Sequence, residues 1–79
     1  MAQLSDAVGF LEAGNWQAAH AIVQDDPSPL ASWAHGIVHL MEGDLGNAGY
    51  WYRRAGRKLP GRDRIGDEIA LLKNELSAT

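Results

Sequence analysis

The chain has 79 residues, a net charge of −3 and no cysteine, which fits one domain with one core and excludes disulfides, thiol nucleophiles and thiolate metal sites. No run of about 18 apolar residues occurs and the first residues carry no basic segment ahead of an apolar one, so the expectation is a cytoplasmic protein that neither crosses a membrane nor carries a secretion signal. A domain of this size buries only about 60% of its unfolded surface, so its core must come from close helix packing or from self-association.

The first element is a helix from Gln3 to Ala13, where Leu4, Ala7, Val8 and Leu11 recur at the three-and-four spacing that places apolar groups on one face. Gly14 suits the left-handed residue that ends it, and Asn15 can cap the next helix with its side-chain oxygen. That second helix carries Trp16, Ala19, Ile22 and Val23 and stops near Asp25 or Asp26, since Pro27 disfavours helical geometry in the residue before it. Ser28-Pro29 starts a third helix that runs to Glu42, with the hydroxyl as cap and proline in the first turn. Gly43 ends it and Asp44 caps a fourth, whose stripe is Ala48, Trp51, Tyr52, Ala55 and Leu59 before Pro60-Gly61 breaks the chain. A last helix places Ile65, Ile69, Leu72 and Leu76 on one side, with Asp67 and Glu68 near its N-terminal end, where the macrodipole favours them. The predicted fold is all-α, a single domain of residues 1–79 with hairpins at 3–26 and 29–59 and a closing helix at 64–77.

An internal repeat underlies the two hairpins: Gly14-Asn15-Trp16-Gln17-Ala18-Ala19 returns as Gly43-Asp44-Leu45-Gly46-Asn47-Ala48, 29 residues later. Between Ser32 and Pro60, Gly36, Gly43-Asp44, Ala48, Tyr52, Ala55 and Pro60 fall in the order that resembles a tetratricopeptide repeat or its Sel1-like relative. The first copy keeps Phe10, the Gly14-Asn15-Trp16 turn and Ala19 but has Asp26 where the family has a small residue. The string from His35 to Arg54 is also similar to a group of uncharacterised small bacterial and plant proteins. The repeat resemblance implies a non-catalytic scaffold that binds a protein or peptide partner on a concave face, although a fold alone never fixes a function.

His35 and His39 stand four apart on the third helix and Glu42 three further on, so the three share one narrow face. Two imidazoles at that spacing can reach one zinc ion, a carboxylate can complete an open site, and His20 on the second helix is a further candidate ligand. No glutamate lies between the two histidines as it does in a zincin, so the acidic partner would be Glu42 or Asp44; a metal-binding or metal-dependent hydrolytic site is the alternative to a cofactor-free module. Two orientations of the third helix compete. By amphipathicity, Leu30, Trp33, Ala34, Ile37, Leu40 and Met41 form the buried stripe and the histidines face water. By the repeat register, Gly36 and both histidines face the fourth helix, against Ala48, Trp51 and Tyr52, and Trp33, Ile37, Leu40 and Met41 line an apolar groove open to a partner.

Charge is unevenly spread: residues 1 to 52 contain no Lys or Arg, whereas Arg53, Arg54, Arg57, Lys58, Arg62 and Arg64 crowd one later stretch. With Tyr50, Trp51 and Tyr52 upstream this could grip phosphates and bases, but the acidic remainder argues against nucleic acid. Arg53, Arg54, Arg57 and Lys58 are better suited to an acidic protein surface, including the first half of another copy, which makes a homo-oligomer one expectation.

Overall fold

The computed structural model describes residues 3–78; Met1, Ala2 and Thr79 of the predicted domain lie outside the described residues. The described chain is all-helical: α1 (Leu4–Glu12), α2 (Trp16–Val23), α3 (Pro29–Glu42), α4 (Leu45–Arg54), a single 3-10 turn (Arg62–Arg64) and α5 (Ile65–Ala78).

Local chemistry sets each boundary. Gln3 opens α1 with a capping box in which its backbone N–H donates to Asp6 Oδ2 at 2.8 Å. Asn15, Ser28 and Asp44 each accept a backbone N–H three residues on, from Ala18, Ala31 and Asn47, satisfying donors that the first helical turn leaves without partners. The repeated turn is the same in both copies, with Gly14 and Gly43 at φ +78° and +87° and the next N–H bonded back to Phe10 O and His39 O. Gly56 makes a third such stop, at φ +73°, and the Arg57 N–H closes on Tyr52 O at 2.9 Å. Here the structure corrects the sequence reading: α4 ends at Arg54, so Leu59, Arg57 and Lys58 lie past the helix and not along it. The stop signal was Gly56, four residues ahead of the proline that the sequence reading chose.

α3 is the hub, in contact with α1, α2, α4 and α5. Nine of its residues are buried, spanning every side of the helix: Ala31 through Val38, and Leu40. A helix covered all round has no solvent face, so the choice between an inward stripe and inward histidines does not arise. Gly36 lets α4 approach most closely; a Cβ there would come within 2.5 Å of Tyr52 Cδ2. α5 lays Ile69 and Leu72 into the core and α1 contributes Ala7, Val8 and Leu11.

This arrangement overturns the predicted groove. Trp33, Ile37 and Leu40 are 1%, 0% and 0% exposed and Met41 is half-buried against the same core. Covering such side chains contributes about 1.5–3 kcal/mol each, and α1, α2 and α5 supply the cover that two hairpins alone could not. α5 is fastened as well as packed. Glu68 Oε1 accepts from Trp33 Nε1 at 3.0 Å and Tyr52 Oη at 2.8 Å, Arg62 Nε donates to Leu40 O at 3.1 Å, and Lys73 pairs with Glu12 of α1 at 3.1 Å. No helix among the described residues is long and apolar enough to cross a membrane.

Candidate metal site

Packing α2 on α3 brings His20 against the face that His35 and His39 share. The ring centroids are 4.7 Å apart for His20–His35, 5.7 Å for His20–His39 and 5.0 Å for His35–His39. One ligand atom from each lies within 4.8 Å of the others. Tetrahedral zinc at its usual bond length to imidazole holds nitrogens about 3.3 Å apart, so to share an ion the rings would close together and turn out of their stacked and edge-on contacts. The i, i+4 spacing gives two ligands from one helix and the hairpin packing delivers the third.

Each ring has a distinct setting. His35 is 4% exposed and lies flat on Trp51 of α4, with centroids 3.8 Å apart and planes 10° from parallel. Its Nδ1 is buried without a hydrogen-bond partner among the described residues, a condition that costs about 1–3 kcal/mol and that a metal ion would relieve. Burial first, then the neighbouring His20 and His39 and the Arg54 cation, push His35 down to about 4, so the ring is neutral at neutral pH and its lone pair is available. His39 is 12% exposed and its Nδ1 meets Glu42 Oε1 at 2.9 Å. A carboxylate accepting from the Nδ1–H fixes the ring and leaves Nε2 for a metal, the usual second-shell pattern behind a ligating histidine. His20 is half-buried and borders a cleft of about 200 Å³ lined by Trp16, Gln17, His20, His39 and Glu42.

The predicted metal set His35, His39, Glu42 and His20 is therefore brought together, but with Glu42 behind His39. A second, more exposed group, His39, Glu42 and Asp44, also falls within 4.8 Å, although both its carboxylates are engaged. Asp44 caps α4 and accepts Asn47 Nδ2 at 2.7 Å, a bond that holds its carboxyl below the ordinary range.

Two of the basic residues rest on aromatic rings. The Arg54 guanidinium lies over Trp51 at 4.9 Å and near Tyr50 at 5.8 Å, and that of Arg57 lies over Trp33 at 3.5 Å. Both cations lie on aromatic faces of their own chain while remaining exposed, as are Arg53 and Lys58. The repeat register places the histidines against Trp51, and His35 lies on that ring; Trp16 and Gln17, the rim of the cleft, are residues that nothing in the sequence singles out for the site.

Among known proteins, no protein-family model, no curated protein and no solved structure matches this chain.

Proposed function

We propose that the protein binds one divalent transition-metal ion of the zinc class through His20, His35 and His39, with Glu42 orienting His39. The observation that carries this reading is the convergence of three imidazoles from two helices on one point. One of those imidazoles is buried with a nitrogen that has no hydrogen-bond partner among the described residues. Neutral nitrogen donors without thiolates suit zinc, copper, nickel or cobalt over calcium or magnesium, which take oxygen ligands. Three protein ligands leave a position over, as in reactive zinc sites, whereas structural sites close with four. The test is a zinc titration of tag-free, chelator-stripped protein. One equivalent per chain is expected, and it should be lost in folded His20→Ala, His35→Ala and His39→Ala variants. A folded wild type that takes up no zinc, or variants that bind it as tightly, would reject the reading.

A second reading, a helical-repeat interaction module, rests on a different surface. Phe10 is 38% exposed beside a depression lined by Ser5, Asp6, Gly9, Phe10 and Ala13, in the half of the chain that lacks Lys and Arg. That surface suits a basic protein or peptide partner, or the Arg53 region of a second copy. Sedimentation at low and high salt tests the homo-oligomer: a complex that dissociates as salt rises supports it, and a monomer at both rejects it.

A further inference from the structure

Building on the three-histidine metal reading, we infer that the ion's remaining position opens into the α2–α3 cleft and takes a small, singly charged anion of the carboxylate class from solution. Among the described residues the two carboxylates beside the trio are engaged: Glu42 Oε1 is held by His39, and Asp44 is held by the Asn47 backbone and side chain. On the α4 side, Trp51 lies flat against His35 and closes that approach. The cleft of about 200 Å³ borders two of the three ligands, His20 and His39, and gives a path to the ion.

Size and charge narrow the occupant. Water takes about 30 Å³ in the liquid and drug-sized ligands need pockets of about 300–1,000 Å³, so the cleft admits a few heavy atoms and not a nucleotide or peptide. A divalent ion on three neutral imidazoles keeps its full charge, which draws an anion. The Glu42 carboxylate on the cleft wall opposes a second negative charge, so acetate-like ions are favoured over phosphate. Gln17, also on the wall, offers amide N–H groups to the carboxylate oxygen that the metal does not hold.

Cobalt(II)-substituted, tag-free protein tests this through its visible d–d absorption, titrated with acetate, azide and phosphate at ionic strength held constant by perchlorate. Acetate and azide should shift the spectrum saturably, and phosphate at the same concentration should not. Gln17→Ala, on an exposed position, should take up cobalt as before and weaken acetate by about 3- to 10-fold, the worth of one hydrogen bond. A cobalt spectrum indifferent to acetate and azide, phosphate binding as tight as acetate, or equal acetate affinity in both proteins would overturn the inference while leaving the metal site standing. Failure of cobalt to bind at all would overturn both, and is recognised by the absence of any d–d band.

Discussion

His35 lies flat against Trp51, with ring centroids 3.8 Å apart and planes 10° from parallel, so the proposed metal site shares a wall with an indole that reports on it. Copper(II) or cobalt(II) bound by His35 should quench the emission of Trp51 by proximity. Of the three tryptophans in the chain, Trp16 also borders the cleft, so the variant comparison is needed. Trp51→Phe should lose a large share of the metal-dependent quenching and keep its metal affinity. Quenching that is unchanged in Trp51→Phe would contradict the stacking.

Metal-free stability should fall with acid. His35 has its ordinary value of 6.5 when unfolded and about 4 when folded, so between these values the unfolded chain binds more protons and folding weakens as pH drops. The contribution is fully present above about pH 6.5, declines below it, and is gone by about pH 4. It amounts to on the order of 3 kcal/mol, from the worth of a pKa unit. Urea titrations in chelator from pH 7.5 to 4 check this, and His35→Phe should flatten part of the slope.

Glu68 fastens α5 by accepting from both Trp33 Nε1 and Tyr52 Oη. Burial and that same bond push the Tyr52 phenol up, well above its ordinary range, so it remains a donor at any working pH. Glu68→Leu leaves two donors of buried residues without an acceptor and should cost about 2–4 kcal/mol. Glu68→Gln, which keeps a carbonyl oxygen, should cost less than half of that. Equal losses in the two variants would place the effect in packing instead.

Two glycine-to-alanine changes should have opposite signs. At Gly36 the new methyl would meet Tyr52 within 2.5 Å, forcing α3 and α4 apart and costing about 1–3 kcal/mol. At Gly9, in the middle of α1 with nothing within 4 Å of an added Cβ, alanine should stabilise by about 0.5–1 kcal/mol. Chemical denaturation of the two variants beside wild type reads both.

Much of the fold was legible because its boundaries are chemical. The caps Asn15, Ser28 and Asp44 and the turns at Gly14 and Gly43 are local devices that act within three or four residues. What was not legible came from the third dimension. The apolar stripe of α3 was visible, but that α5 would cover it depends on where a helix 30 residues away docks, which periodicity cannot convey. For the same reason the sequence left Trp33, Ile37 and Leu40 open between buried stripe and groove, and the structure makes them core. His35 and His39 could be paired from their spacing, His20 named as a candidate from the neighbouring helix and Trp51 set against them by the repeat register; the ring distances of the trio and the stacking of His35 on Trp51 come only from the packing of α2 and α4 on α3. The place of Arg57 over Trp33 has no local signal, since the two residues meet only through the packing of α3 against the segment after α4.

The most direct measurement of the central claim is X-ray absorption on the zinc-loaded, tag-free protein. Three imidazole nitrogens at about 2.0 Å with their outer-shell ring scattering are expected, plus one oxygen ligand without it. A shell dominated by carboxylate oxygens with one imidazole, as the exposed group of His39, Glu42 and Asp44 would give, would contradict it.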